Sequence, residues 1–371
     1  MTTLLVTGGA GFIGANFIYH WLSRHPEDRI VVLDALTYAG NLANLASALT
    51  NSRLDFVQGD IRATELVTKL LRDHEITRLV HFAAESHVDR SISEPDPCIE
   101  TNVVGTHSLL KAARQVWLEE GRGGTEPRFH HISTDEVYGS LGAQDQLATE
   151  DHPYSPSSPY AASKAASDHL VRAYFRTYRL PITVTNCCNN YGPFQFPEKL
   201  IPLMLVHALD GRPLPVYGDG LYVRDWIHVS DHCEALDLVL AHGTPGETYN
   251  ISGGNGWTNL NVARLLTAIL DQAFAIDSGL ARRFPACPAA QGITTASLIT
   301  HVPDRPGHDR RYAVSPEKAR VHLGFSPIHA FEIGLRETVF WYLEHEPWWR
   351  SVLDGSYRNL KPTVSSRNVS F

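Results

Sequence analysis

Short runs of consecutive apolar, β-branched residues alternate with helically periodic segments through the first half of the chain. Residues 4–7, 30–33, 54–58, 78–82, 129–133 and 182–186 read as buried strands. Segments such as 13–24 and 102–119 read as the helices between them. Strands without polar alternation are buried on both faces, and their alternation with helices predicts a parallel sheet covered on both sides. The expected fold is therefore α/β, a Rossmann-type doubly wound parallel sheet. After Asn190 the rhythm breaks at Pro193, Pro197, Pro202, Pro213 and Pro215, and later segments are shorter. This predicts a smaller, interleaved C-terminal α/β domain. The expected division gives residues 1–190 to the sheet domain, with 226–250 returning to it. Residues 191–225 and 251–358 form the second domain, and 359–371 form a weakly ordered tail.

Composition narrows the class without naming the chemistry. The 371 residues are 43% hydrophobic and 19% charged, ordinary for a globular protein, and their length suits two domains. A formal charge of −8 with no basic stripe gives no reason to expect a nucleic-acid partner, so an anionic substrate would need local arginines and lysines. Met1 to Val6 run straight into a strand pattern, and no apolar run is long enough to span a bilayer. A soluble, cytoplasmic protein is expected. Cys98, Cys187, Cys188, Cys233 and Cys287 form no C-x-x-C and are expected as reduced, buried thiols. The 19 histidines show no metal-ligand spacing, so no metal is expected.

Residues 7–14, Thr-Gly-Gly-Ala-Gly-Phe-Ile-Gly, follow the first strand and open a helix. Gly8, Gly11 and Gly14 permit a tight turn and close backbone approach to a pyrophosphate seated on the helix N-terminus beside Phe12 and Ile13. Asp34 ends the second strand, where a carboxylate accepts hydrogen bonds from an adenosine ribose and repels a 2′-phosphate. The pattern predicts NAD rather than NADP. Asp60 and Ile61 after the third strand, and Phe82, Ala83, Ala84 and Ser86 after the fourth, lie where cofactor contacts belong in such sheets.

Ser158-Pro159 reads as an N-cap and first-turn proline, so Tyr160 and Lys164 share one helix face at i and i+4. The lysine ammonium, with a positively charged nicotinamide, is expected to favour the phenolate, and Lys164 can also hold the nicotinamide ribose. Thr134, Asp135 and Glu136 follow the fifth strand. Two adjacent carboxyls there can split roles if one stays protonated and the other ionised.

Further motifs carry a family resemblance. They are L-T-Y-A-G-N at 36–41, A-A-E-S-H-V-D-R-S at 83–91 and S-T-D-E-V-Y-G at 133–139. N-N-Y-G-P at 189–193, F-P-E-K-L-I-P at 196–202, R-D-W-I-H-V at 224–229 and D-R-P-G-H-D-R-R-Y at 304–312 complete the set. From Met1 to about Tyr357 the chain resembles the dTDP-glucose 4,6-dehydratases, extended short-chain dehydrogenase/reductases. The acid pair after Thr134 is the most specific element, since related epimerases and decarboxylases lack that Asp. The resemblance implies a lyase of deoxysugar biosynthesis that converts dTDP-glucose to the 4-keto-6-deoxy sugar and water, moving a hydride from C4 to C6 through tightly bound NAD. Tyr160 would take the 4-hydroxyl proton with Thr134 holding that oxygen, Glu136 the C5 proton, and Asp135 would protonate the leaving 6-hydroxyl. It adds Thr37, Thr101 and Asn190 to the cofactor contacts. Ser86, Thr134, Asn189, Lys199, Leu200, Pro215, Tyr217, Arg224, Asn259, Arg305, His308 and Tyr357 match nucleotide-sugar contacts. It also implies a homodimer, and the helix after Tyr160, with Ala165, Ala166, Leu170, Val171, Tyr174 and Phe175, carries more apolar surface than one sheet face needs.

Two features depart from the resembled pattern: the thiol pair Cys187-Cys188, and a long stretch at 277–299. Neither is expected to touch the catalytic set. A nucleotide-sugar epimerase, a UDP-glucose dehydratase, or an inactive NAD-binding interaction protein are the other readings. The last sits badly with the presence of Asp135, Glu136, Tyr160 and Lys164. Thymine against uracil, and the deoxysugar pathway served, are left open by the sequence.

Overall fold

Seven parallel strands make the central sheet of the computed structural model, which describes residues 1–360. They are β1 (Thr3–Thr7), β2 (Arg29–Asp34), β3 (Leu54–Gln58), β4 (Arg78–His81), β5 (Arg128–Thr134), β6 (Ile182–Cys187) and β11 (Thr248–Ile251). Their order is β11-β6-β5-β4-β1-β2-β3, so the chain reverses its direction of travel between β1 and β4. Register aligns Thr7 with both Leu33 and His81, His81 with His131, and Thr134 with Cys187. The carboxyl ends of these strands therefore form one continuous rim, where ligands bind in open α/β sheets. All six strands read from the sequence are present in this sheet, within about a residue at each end.

Alternate side chains of each strand feed two different cores. Leu5, Val31, Leu79, Phe129 and Val184 face one side with α2 (Thr64–Asp73), α5 (Thr106–Ala113) and α6 (Pro159–Tyr178). Leu4, Val6, Ile30, Val32 and Val80 face the other with α1 (Phe12–Arg24) and α8 (Val229–His242). Each such side chain, fully removed from water, stabilises the fold by about 1.5–3 kcal/mol. Between β4 and β6 run α3 (Val88–Ser93), α4 (Asp96–Cys98) and the long segment expected as one helix. That segment passes through π-helical turns at Ile99–Gly105 and Arg114–Glu119 on either side of α5.

A third core lies beyond Asn189, built by α7 (Leu200–Leu209), α9 (Asn259–Ile276), α10 (Gly279–Arg283), α12 (Phe331–Glu344) and α13 (Glu346–Asp354). Its strands pair in twos: β7 (Asn189–Tyr191) with β10 (Trp226–His228), β9 (Val223–Arg224) with β12 (Trp257–Thr258), and β8 (Leu214–Tyr217) with β13 (Ile299–Val302). The long 277–299 stretch supplies α10 and two 3-10 turns, anchored where Asp271 accepts from the Thr295 amide at 3.0 Å. The short α11 (Glu317–Leu323) packs beside β11. The C-terminal end folds back on the first half: Trp348 donates to Asn44 at 2.8 Å and the Tyr357 hydroxyl to the Tyr38 carbonyl. The expected 359–371 tail lies outside the described residues from 361 onward, and Asn359 closes a 3-10 turn, Ser356–Asn359. Among the described residues no helix is long and apolar enough to cross a membrane.

Candidate active site

The turn after β1 has a shape that only glycine permits. Gly8 has φ of +69°, and a Cβ there would lie 2.6 Å from the Ala83 backbone nitrogen; one on Gly14 would lie 2.4 Å from the Gly8 carbonyl oxygen. The turn thus presses the chain against the end of β4 and leaves α1 to begin at Phe12. Gly11 caps α1 with no side chain, so the first amides of that helix point free into the rim, a ready anion cradle. Asp34, at the end of β2, is buried and accepts from the Ala10 amide at 2.9 Å and the Leu36 amide at 2.8 Å. Burial raises its carboxyl despite these bonds. Asp60 is held below the usual carboxylate range, its partial burial outweighed by Arg62, which it binds at 2.7 Å.

A cavity of about 620 Å³ runs along the rim from this turn past β5 to β7. Every residue expected to hold the cofactor lines it, from Gly8, Gly11, Phe12, Ile13 and Gly14 through Asp34, Thr37, Asp60, Ile61, Phe82, Ala83, Ala84, Ser86 and Thr101 to Tyr160, Lys164 and Asn190. Thr134, Asp135, Glu136, Asn189, Lys199 and Leu200 line the same cavity. Lys199 donates to the Ser86 carbonyl at 2.6 Å, and burial lowers its ammonium.

The reactive groups meet where β5 ends and α6 begins. Ser158 caps α6 by accepting from the Ala161 amide at 3.1 Å, and Pro159 takes the first turn, as the sequence suggested. This brings the buried Tyr160 hydroxyl beside Thr134, which favours the phenolate. Thr134 Oγ1 accepts from the Glu136 amide at 3.2 Å and lies 3.4 Å from Asp135 Oδ1. Asp135 is buried, with Oδ2 lacking a hydrogen-bond partner among the described residues. Burial, then Glu136 and Asp225, push its carboxyl well above the usual range. Glu136 is raised by burial too, but Arg224, Lys199 and Arg305 pull it back. The two carboxyls thus stand in different environments, one favouring the acid and the other better able to ionise.

Two expectations are corrected here. Burial, Glu136 and Cys187 push the Tyr160 phenol well above its ordinary value, and Lys164 alone does not offset them. The Lys164 ammonium instead donates to the Ile132 carbonyl at 2.8 Å. Cys187, expected to stand clear of the catalytic set, borders it: its thiol lies 3.4 Å from the Ser133 carbonyl oxygen and 3.6 Å from Asn190 Nδ2. Cys187 and Cys188 both line the cavity, and all five cysteines are free and buried.

The other expected substrate contacts stand outside the cavity lining. Arg224 is buried against Tyr312 and donates to the Asp309 carbonyl at 2.8 Å, with its charge bearing on Glu136. Arg305 pairs with Asp89 at 3.1 Å. His308 lies 6.0 Å from the Tyr217 ring and stacks on Tyr222 at 3.6 Å. Pro215 neighbours Tyr217 on β8, Asn259 opens α9, and Tyr357 packs on Phe196, a lining residue. No residue of 277–299 lines the cavity. Three groups at the cavity were given no role from the sequence: Glu198 and Glu85 line it, and Asn102 stands behind them. Glu198, beside Lys199 in the quoted F-P-E-K-L motif, sits 3.5 Å from both His87 and Arg90. Glu85 is raised by burial. Behind it Asn102, carried on the π-helical turn, binds the Glu85 amide at 2.9 Å and carbonyl at 3.0 Å, and Ser163 at 2.8 Å.

Comparison with known proteins identifies the family. Residues 5–338 match the GDP-mannose 4,6 dehydratase family. A dTDP-glucose 4,6-dehydratase of Neisseria meningitidis is 53% identical over 359 residues, covering 96% of this chain and 98% of the relative. The chain belongs to the dTDP-glucose 4,6-dehydratase family. Within that family, an enzyme of Streptomyces venezuelae, crystallised with NAD bound, superposes with a TM-score of 0.83 at 46% identity, covering 95% of this chain and all of that one. A UDP-glucose 4-epimerase of Thermotoga maritima is more distant: TM-score 0.77 and 26% identity over 92% of this chain and 99% of that one.

Proposed function

We propose that this chain is an NAD-dependent lyase that converts dTDP-glucose to dTDP-4-keto-6-deoxyglucose and water, a reaction of deoxysugar biosynthesis. The Asp135–Glu136 pair carries the reading, because it opens into the same cavity as the glycine turn and lies beside Tyr160 and Thr134. The glycine turn fits NAD: a Cβ would fill the cradle at Gly8 or Gly14, and Asp34 stands ready for a ribose. NAD bound there would supply the acceptor, and then the donor, of the hydride moved from C4 to C6 of the sugar.

The chain's own groups handle the protons and the water. Thr134 holds the sugar 4-oxygen, and Tyr160, whose phenolate the Lys164 ammonium and a positively charged nicotinamide would together favour, takes its proton as the C4–H bond breaks. The 4-ketone so formed acidifies the neighbouring C5–H, and Glu136 removes that proton. Asp135, kept protonated by burial and by its carboxylate neighbours, gives its proton to the 6-oxygen, which leaves as water. Glu136 returns a proton to C5 as C6 is reduced. Lys164 orients the nicotinamide ribose. Arg224 and Arg305 suit a diphosphate through planar, two-pronged hydrogen bonding. In this reading the seven-stranded unit holds the cofactor and the segments 191–225 and 251–358 hold the nucleotide sugar.

The protein acts as a cytoplasmic homodimer in the same reading. Tyr174, Val171 and Ala165 of α6 are covered within the chain, and the exposed large apolar side chains of α6 and of the helical segment 99–119 are Ile99, Val104, Leu118 and Tyr178. A monomeric mass by light scattering at micromolar concentration would remove the dimer from the proposal. The reaction is tested by incubating the purified protein with dTDP-glucose or UDP-glucose without added NAD. The 4-keto product is expected from dTDP-glucose, and its absence with NAD-loaded protein refutes the function.

A further inference from the structure

Behind the cavity, on the side of Lys164 away from Tyr160, lies a polar cluster the reaction does not use. Its centre is Asp168, one helical turn beyond Lys164 on α6 and fully buried. Asp168 Oδ2 accepts from Ser133 at 2.9 Å and from the Tyr154 hydroxyl at 2.8 Å. His131 Nε2 lies 3.2 Å from Oδ1. Tyr154 is fixed in turn by Arg172 at 2.6 Å and Asn186 at 3.1 Å. Ser133 immediately precedes Thr134 on β5, so the cluster and the reactive groups share one strand and one helix.

A carboxylate this deep costs several kcal/mol unless a cation repays it, and a lysine this deep has the same need. Lys164 is 4% exposed, and its one hydrogen bond among the described residues goes to a neutral carbonyl, that of Ile132. The titratable groups facing Lys164 from the packed elements are His81 on β4, His131 on β5 and Cys187 on β6, with Asp168 on its own helix. Burial holds His81 and His131 neutral and the Cys187 thiol protonated. Asp168 is therefore the anion available to Lys164 from these groups. We propose that Asp168 is a positioning residue, the buried counter-charge one helical turn away that keeps Lys164 cationic beside the catalytic tyrosine.

Two directions agree with this placement. Burial alone pushes Asp168 up, but His131, Lys164 and Ser133 more than offset it and hold the carboxylate ionised. Burial brings the Lys164 ammonium down to about 8, with Asp168 opposing that fall. Removing Asp168 must then lower Lys164 further, so a growing share of the protein loses this cation as pH rises through neutrality. The consequence for turnover rests on the function proposed above: the alkaline limb of the kcat profile moves to lower pH.

The chain has six lysines, so selective 13Cε-lysine labelling gives a simple spectrum, and the Lys164 signal is assigned by its loss in Lys164→Met. The test is the titration midpoint of that signal in the full-length protein as purified, which requires no substrate. In Asp168→Asn, which keeps an acceptor for Ser133 and Tyr154, the midpoint is expected to fall by about 1 unit or more. Asp168→Glu, which keeps the charge, is expected to hold the wild-type midpoint. A folded Asp168→Asn protein with an unmoved midpoint overturns the inference. Asp168→Ser, smaller and also neutral, repeats the measurement should the asparagine variant not fold. The wild type alone is also decisive, because a midpoint below about 6 is that of a buried lysine with no counter-charge. Turnover of dTDP-glucose by the wild type is scored separately, so failure of the function and failure of the Asp168 assignment are read from different experiments.

Discussion

Replacing Asp135 by asparagine separates what this side chain does for the reaction from what it does to the fold. The amide keeps the volume and the contact with Thr134, 3.4 Å from Asp135 Oδ1, but has no proton to give. Loss of a positioned general acid costs about 100- to 10,000-fold in rate, or roughly 3–5 kcal/mol of barrier. Stability moves the other way. The folded carboxyl is raised above its unfolded value of 3.8 by burial, Glu136 and Asp225. The native state therefore binds more protons than the unfolded state, and stability declines as pH rises from the unfolded value towards the folded one. Asparagine carries no such penalty, so Asp135→Asn is expected to melt at the same temperature as wild type or higher at pH 7–8. The assay pairs a thermal melt with two readouts on dTDP-glucose in deuterated buffer: formation of the 4-keto-6-deoxy product, and deuterium uptake at C5. Product should fall by at least about 100-fold, while C5 exchange, which reads Glu136, survives. Turnover within a few-fold of wild type, together with a lowered melting temperature, would show that Asp135 is a packing residue and refute its role as the acid.

Acid sensitivity should come from buried histidines. His81, His130, His131, His228 and His232 are pushed down by burial, His131 and His228 to about 4 and His232 to about 3. Their stability contribution is complete above the unfolded value of 6.5 and is lost as pH falls towards 4, at about 1.4 kcal/mol per pH unit for each histidine protonated on unfolding. Urea melts that are flat between pH 6.5 and 4.5 would contradict this. Gly8→Ala puts a Cβ 2.6 Å from the Ala83 backbone at a φ of +69°. It is expected to cost at least about 1–2 kcal/mol and to leave the purified protein depleted of NAD by mass spectrometry. Asn102→Ala removes three hydrogen bonds that tie Glu85 to Ser163, a loss of about 3 kcal/mol at roughly 1 each. Calorimetry showing less than about 1 kcal/mol would mean water replaces the amide.

The strands were legible because each is a short apolar run buried on both faces, as Leu4, Leu5 and Val6 are at 0% exposure. The glycine turn was legible for a steric reason, since Gly8 and Gly14 meet backbone atoms that admit no side chain. Ser158-Pro159 announced α6 through its cap. Less visible was anything set by three-dimensional approach. Helical periodicity in residues 102–119 does not distinguish α from π turns, yet the π turn at Ile99–Gly105 carries Asn102, which bridges Glu85 and Ser163. The spacing of Tyr160 and Lys164 placed both on one face, but it could not show Lys164 bonding back to the Ile132 carbonyl. The closeness of Cys187 to Ser133 and Thr134 comes from strand register across the sheet, which the sequence does not display. Glu198 sat in a motif already noted, and its importance appears only when His87 and Arg90 converge on it.

The tie between the two ends of the chain bears on how the protein is made. Asn44 and Tyr38, in the loop that follows β2, are steadied by Trp348 and Tyr357, 304 and 319 residues later in translation. A growing chain can pair its first six strands on the ribosome, but the outer wall of the adenosine end waits for the last helix to emerge. Cofactor capture should thus be among the final events of biogenesis, and messages truncated ahead of codon 348 should yield a protein with its sheet assembled and its dinucleotide lost.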